Sequence, residues 1–107
     1  MNDPGNEALQ SVVDIDRIIH EPARLLILAY LSVVDKSDYL FLMRQTGLTQ
    51  GNLSSHISKL EQAGYIKVEK EFQDKKPRTL LSLTQSGKQA FQQYRDKMQQ
   101  ILDSLPT

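Results

Sequence analysis

Small polar side chains line one face of a predicted helix in the middle of the chain. In this helix, Gln50–Ala63, the apolar residues Leu53, Ile57 and Leu60 recur at helical spacing on one side. The remaining faces offer mainly short hydrogen-bonding groups: Gln50, Gly51, Asn52, Ser54, Ser55, Ser58 and Lys59. Such groups can reach base edges in a DNA major groove, and the free N–H groups at the helix start can receive a phosphate. An ordinary solvated face has the same polarity, so the pattern alone leaves both interpretations open.

Basic residues gather around Pro77 in the polar stretch 73–78, which predicts a hairpin tip. Lys75, Lys76 and Arg78 could contact phosphates or enter a neighbouring minor groove. Lysines also occur on exposed hairpins that avoid edge pairing, and Asp74 dilutes the positive charge. A further candidate is Arg44, for which a phosphate contact and a surface ion pair are both open.

The charge is unevenly distributed along the 107 residues, although the net charge is zero. Residues 1–43 carry three basic and seven acidic side chains, whereas residues 44–80 carry seven basic and four acidic ones. Zero net charge argues weakly against a nucleic-acid partner. The distribution indicates that an anionic partner would dock on the middle of the chain.

Residues suited to catalysis or metal binding are sparse. The chain has no cysteine, and its two histidines, His20 and His56, lie in different predicted elements. Neither a glycine-rich phosphate loop nor a G-x-S-x-G motif occurs. We therefore expect no enzyme, no metal site and no cofactor. A structural or phosphate-contacting role is expected for His56, and His20 is expected to help start the helix that follows it.

Hydrophobic periodicity predicts two helices before the polar one. Residues 1–7 are expected to be a frayed terminus, followed by a helix over Ala8–Ile19. Pro22 suits the first turn of the next helix, and Ala23–Val34 is apolar nearly all round, as in a buried helix. Residues 35–38 are expected to form a polar turn.

A short helix, two strands and a long helix complete the predicted order. Leu40–Thr46 ends at Gly47, and Thr49 caps the polar helix, which ends at Gly64. Two strands follow at residues 65–72 and 79–83. Thr84 is expected to cap a final helix over Gln85–Ser104.

This order, with the segments "HEPARLLILAYL", "RQTGLTQGNLSSHISKLEQAGYIKVEK" and "TLLSLTQSGKQAF", resembles the winged-helix transcriptional regulators of the MarR/ArsR type. The similarity covers roughly residues 15–98. The resemblance implies a mainly α fold with a small β-hairpin (α+β) in one domain over residues 1–107. Within it, residues 39–64 would be the helix-turn-helix, with the polar helix as recognition helix, and residues 65–83 the wing.

The final helix, residues 85–104, carries a seam with steps of three and four residues. Phe91 and Tyr94 are expected to cover the domain's own core at least in part, whereas the later seam residues extend beyond it. We expect this helix to pair with the N-terminal helix and a second subunit. The expected dimerisation residues are Leu9, Val12, Tyr94, Met98, Ile101, Leu102 and Leu105.

The expected function is sequence-specific binding of double-stranded DNA by a homodimeric regulator, with repression favoured over activation. The recognition helix would enter the major groove and the wing would contact the flanking backbone. The alternative is a winged helix that binds a protein partner without direct DNA contact. With no signal peptide or membrane span in the sequence, a cytoplasmic location is expected. The operator, the regulated genes and any small-molecule effector are left open.

Overall fold

A computed structural model describes residues 4–106, and within them five α-helices surround a three-stranded antiparallel sheet. The helices are α1 (Pro4–Gln10), α2 (Pro22–Ser32), α3 (Tyr39–Thr46), α4 (Gln50–Gln62) and α5 (Gln85–Ser104). The strands are β1 (Ser37–Asp38), β2 (Ile66–Gln73) and β3 (Lys76–Leu83). This architecture confirms the expected α+β winged-helix fold.

Side-chain caps define where four of the helices begin. The carboxylate of Glu21 accepts a hydrogen bond from the backbone N–H of Arg24, and Pro22 occupies the first turn of α2. Asp38 caps α3, Thr49 caps α4 and Thr84 caps α5. The cap of α2 is thus Glu21, and His20 does not fill that role.

Glycines end the two helices of the helix-turn-helix, as expected. Gly47 and Gly64 adopt φ angles of 71° and 79°, a left-handed conformation that residues with a Cβ rarely adopt. Between these glycines, Leu48 and Thr49 lead directly into α4. The short connection fixes α4 across the end of α3.

The sheet order is β1-β3-β2, so β3 is the central strand. Pairing of β2 with β3 runs from Ile66 opposite Leu83 to Gln73 opposite Lys76. The turn is only two residues long, and both of them, Asp74 (φ 53°) and Lys75 (φ 66°), are left-handed, as a type I′ hairpin turn requires.

The predicted strand limits were therefore wrong at two places. The second predicted strand begins at Lys76 and includes Pro77, whereas the sequence predicts both residues in the hairpin tip. The β2–β3 pairing continues through them because the turn is only two residues long. Residues 37–38 form β1 on the edge of β3, where a polar turn was expected. Two residues are too few to show the alternation by which a strand is recognised.

The N-terminal prediction was also wrong in its limits. Helix α1 begins at Pro4, so residues 4–7 are helical, whereas residues 1–3 lie outside the described part of the chain. A 3-10 helix, Ser11–Asp14, follows α1, and the helical stretch ends there instead of at Ile19. The Asp16 carboxylate accepts from the backbone N–H groups of Ile18 and Ile19 in a turn that competes with a continuous helix.

One hydrophobic core unites the helices and the sheet. Fully buried side chains come from α2, α3, α4, β3 and the turn before α2: Ile19, Ile27, Leu28, Leu31, Leu42, Leu53, Leu60 and Leu81. Because α4 contributes Leu53 and Leu60 to this core, its opposite face is fixed towards solvent.

The start of α5 is attached to the joint between α4 and β2. The Thr84 hydroxyl donates to the carbonyl of Gly64 at 2.6 Å, and its backbone N–H donates to the carbonyl of Tyr65 at 3.0 Å. A Cβ at Gly87 would lie 2.0 Å from that same Tyr65 carbonyl oxygen. Only glycine allows this approach, which accounts for the glycine three residues after the cap Thr84.

Candidate nucleic-acid interface

Helix α4 divides cleanly into a buried and an exposed side. Leu53, Ile57 and Leu60 are buried, as their spacing predicts. All the polar residues proposed from the sequence for this helix are exposed: Gln50, Gly51, Asn52, Ser54, Ser55, Ser58 and Lys59. No Glu or Asp occurs before Glu61 in α4. The helix therefore presents an uninterrupted non-acidic face over its first three turns.

One residue of this face is already engaged by the preceding helix. The hydroxyl of Tyr39 lies 2.7 Å from the Ser54 hydroxyl and donates to the Gln50 carbonyl at 3.1 Å. Tyr39 thereby ties the first turn of α4 to the start of α3. The sequence did not indicate this role of Tyr39, which directly follows the predicted polar turn.

The wing ends in a narrow tip with exposed lysines. Lys75 occupies the turn and Lys76 begins β3, and both side chains are exposed. Lys70, on β2, is exposed as well. The cationic groups of the tip can thus approach an anionic surface together.

The structure places Arg78 away from the tip. Its guanidinium lies 3.2 Å from Asp38 on β1 and 3.7 Å from Glu71 on β2, and it also hydrogen-bonds Gln73. Its side chain is about one-third exposed. These contacts brace the wing against the start of α3, and the phosphate contact expected of Arg78 stays a prediction.

Asp38 holds this brace together electrostatically. Burial raises its pKa, but hydrogen bonds from the backbone N–H groups of Leu40 and Phe41 and from Arg78 outweigh that effect. The net result is a pKa below the ordinary value of 3.8. The carboxylate is therefore ionised at neutral pH, and this is the form that caps α3 and pairs with Arg78.

A charged cluster behind α4 was missed from the sequence. Arg24, inside the apolar helix α2, is buried and donates from Nε to the Ile18 carbonyl at 2.6 Å. Its Nη1 lies 3.2 Å from Nδ1 of His56, which is 3.6 Å from the Glu21 carboxylate. This cluster links the start of α2 to the middle of α4, so His56 has a structural role.

Two other candidates from the sequence, Arg44 and His20, belong to segments outside α4 and the wing. Arg44 is exposed in the last turn of α3, open to solvent. His20 hydrogen-bonds through Nδ1 to the Tyr94 hydroxyl of α5 at 2.8 Å. It therefore belongs neither to α4 nor to the wing. That bond joins the turn before α2 to α5.

The residues expected to form a dimer interface fall into three groups, which are buried, half-buried and exposed. Tyr94 (8% exposed) and Ile101 (7% exposed) are buried against their own chain. Leu9 and Met98 are half-buried, and Val12, Leu102 and Leu105 are exposed. Of the expected interface residues, Val12, Leu102 and Leu105 are thus the ones whose apolar side chains are left exposed.

Other kinds of site receive little support from the described residues. Residues 4–106 contain no cluster of three or more His, Cys, Asp or Glu side chains able to hold a metal ion. None of their helices is long and apolar enough to cross a membrane. A cleft of about 500 Å³ lies between the end of α2, β3 and α5.

Comparison with known families places the chain among winged-helix proteins. Residues 23–102 match the model of the winged helix DNA-binding domain. A protein of Methanocaldococcus jannaschii, MJ0432, is 31% identical over 78 residues, which cover 73% of this chain and 85% of that protein.

Solved structures agree with this placement. A transcriptional regulator homologue from Pyrococcus horikoshii OT3 superimposes with a TM-score of 0.86 at 30% identity, over 94% of this chain and 99% of that one. A MarR-family transcriptional regulator from Silicibacter pomeroyi has a TM-score of 0.60 at 19% identity, over 94% and 63% of the two chains. Reduced AbfR bound to DNA shares the fold with a TM-score of 0.63 at 23% identity, over 97% and 68%. This chain belongs to the winged helix DNA-binding domain family, and it shares the fold of MarR-family transcriptional regulators.

Proposed function

We propose that the protein is a homodimeric repressor that binds a specific double-stranded DNA sequence. The observation that carries the proposal is the exposed, non-acidic face of α4 beside a hairpin that ends in lysines. The AbfR structure, a DNA complex with this fold, supports the same assignment. DNA binding would also favour a cytoplasmic location.

In this proposal, α4 reads bases and the wing holds phosphates. Asn52, Ser55 and Ser58 have the short hydrogen-bonding groups that fit a major groove, and Gly51 lets the helix start approach closely. Lys59, Lys75 and Lys76 would neutralise phosphates, and Arg44 could do so at the end of α3. Tyr39 would position Ser54, and Arg78 would fix the direction of the wing.

A second subunit is proposed because apolar side chains on the terminal helices stay exposed. Leu102 (55% exposed) and Leu105 lie at the end of α5, and Val12 follows α1. Two subunits would carry two recognition helices, which together address two half-sites about one helical turn of DNA apart. Occupying such a site in a promoter would repress transcription.

The proposal is tested by fluorescence anisotropy with a labelled mixed-sequence duplex at several salt concentrations. Binding should weaken linearly in a plot of log affinity against log salt. The double substitution Lys75→Ala/Lys76→Ala should reduce that slope by about 2, because each phosphate contact adds about 0.9. Lys88→Ala removes an exposed lysine at the start of α5 and should leave the slope unchanged.

Sequence specificity requires a separate measurement. Selection from random duplexes should recover an inverted repeat, and Ser55→Ala should alter its preferred bases without changing the salt slope. Absence of binding at low salt by the folded protein would contradict the proposal and favour a protein partner. The exposed Leu40 and Phe41 on α3 would then be the first surface to test.

A further inference from the structure

Phe72 is the most exposed large hydrophobic residue in the part of the chain that the structure describes. It is 79% exposed and lies near the end of the wing, opposite Pro77 in the β2–β3 pairing. Burying a phenylalanine side chain is favourable because it removes a large apolar area from water. An aromatic residue on a projecting hairpin therefore gains substantially from any partner that covers it.

The position of Phe72 continues the core-facing side of the hairpin. Alternation along β2 puts Phe72 on the same face as Ile66 and Val68, and Leu81, the partner of Val68, is fully buried. At the end of the hairpin farthest from the turn, this face packs into the core. At the outer end it extends beyond the core and carries Phe72 beside Pro77. We call this outer part the Phe72 face.

The opposite side of the hairpin is occupied by ion pairs. Glu69 lies 3.4 Å from Lys36 and 3.6 Å from Lys67, and Glu71 lies 3.7 Å from Arg78. Both glutamates of β2 lie on that side. Among the residues of β2 and β3, the face that carries Phe72 has Lys70 as its single charged residue.

The Phe72 face therefore combines an apolar tip with positive charge. The left-handed turn adds Lys75 directly beyond it, accompanied by Asp74. An anionic surface with an apolar interior would satisfy both features. The minor groove of DNA is such a surface, since phosphates line its edges and its base steps can open to expose stacked base faces to an apolar side chain.

We propose that Phe72 is the base-contacting residue of the wing, which enters the minor groove and wedges against a deformable base step while lysines hold the phosphates. Apolar wedges in the minor groove partly unstack a base step and bend the duplex. Pyrimidine–purine steps such as TA yield most easily, whereas A-tracts are stiff. The inference rests on the proposed DNA binding and adds a source of sequence preference that α4 does not supply.

The test compares two 24-bp duplexes, one of alternating TA sequence and one a continuous A-tract. The wild-type protein should bind the alternating duplex about tenfold more tightly, because less unstacking energy is required. Phe72→Ala should abolish this preference without changing the salt slope. Conversely, Lys75→Ala should lower the slope and keep the preference. Val33→Ala is the matched control, since Val33 is 78% exposed at the end of α2.

A spectroscopic readout locates the effect at the bases. With 2-aminopurine replacing adenine in the alternating duplex, wild-type binding should raise its fluorescence as the base unstacks, and Phe72→Ala should not. Equal preference and equal fluorescence for the wild type and Phe72→Ala would overturn the inference while leaving DNA binding intact. Absence of wild-type binding to both duplexes would overturn the proposed function as well. A change in sedimentation caused by Phe72→Ala without DNA would assign Phe72 to a protein contact and overturn the inference.

Discussion

Gly87 and Gly51 occupy similar places near helix starts, yet their surroundings differ completely. A Cβ on Gly87 would meet the Tyr65 carbonyl oxygen at 2.0 Å, whereas nothing lies within 4 Å of a Cβ on Gly51. The obstacle at Gly87 is backbone, which cannot move aside as a flexible side chain can. The two glycines therefore make a matched pair for testing the contact.

Gly87→Ala should lower the free energy of unfolding by about 2 kcal/mol, as overpacking does in other buried sites. Gly51→Ala should raise it by about 0.5–1 kcal/mol, because alanine loses less backbone entropy in a helix. Urea unfolding followed by circular dichroism measures both. An unchanged urea midpoint for Gly87→Ala would show that the contact between α5 and the Tyr65 backbone can relax to admit a methyl group.

Individual side chains also show where sequence reasoning was sufficient. The buried side of α4 was predicted from Leu53, Ile57 and Leu60 because helical periodicity is local. Arg78 was assigned to the tip, since the sequence does not reveal that β1 and β3 pair and bring Asp38 to it. Such a contact between residues 40 positions apart depends on the complete fold.

At the scale of secondary structure elements, Asp38 serves three of them at once. It belongs to β1, caps α3 and pairs with Arg78 of β3. Its pKa is lowered in the fold, so the ionised form is favoured there. By linkage, the stabilisation is complete above the ordinary pKa of 3.8 and is lost as the pH falls through the lower folded value.

Asp38→Asn should therefore lower stability at pH 7 and weaken its dependence on pH below about 4. The asparagine keeps an oxygen for the cap, so the loss reports mainly on the charge. Urea unfolding between pH 2 and pH 7 measures the effect, with Asp103→Asn, an exposed carboxylate on α5, as the control. Parallel curves for Asp38→Asn and the wild type would argue against the electrostatic brace.

Element types were predicted well, and element limits less well. The helix-turn-helix and α5 could be recognised because caps and glycines mark their ends. The break after α1 depends on Asp16, whose carboxylate bonds to the backbone of the following turn. In α5, partial burial of Tyr94 against its own core was expected from the apolar spacing, whereas Ile101, expected only at a dimer interface, is also buried within the same chain.

At the scale of the whole molecule, the chain is elongated, with extents of 65 × 26 × 21 Å. An elongated single domain of this size leaves much of its surface exposed, and a second subunit would reduce that exposure. The apolar residues Leu102 and Leu105 are available for this contact.

The wild-type protein should sediment as a dimer at micromolar concentration. Leu102→Asp/Leu105→Asp should sediment as a folded monomer, because charge is introduced into the proposed interface. Val33→Asp places one aspartate on a still more exposed apolar site at the end of α2 and should remain dimeric. A wild-type monomer at high micromolar concentration would contradict the proposed dimer.

The attachment of α5 to the joint after α4 has a mechanical consequence. Thr84 and Gly87 hold the start of α5 against Gly64 and Tyr65, so this point would be the pivot of any tilt of the helix. A helix of 20 residues is about 30 Å long, and a tilt of about 10° about the pivot would move its far end by about 5 Å. In the proposed dimer, the far end of α5 would contact the second subunit. The direction of α5 would therefore determine the distance between the two recognition helices.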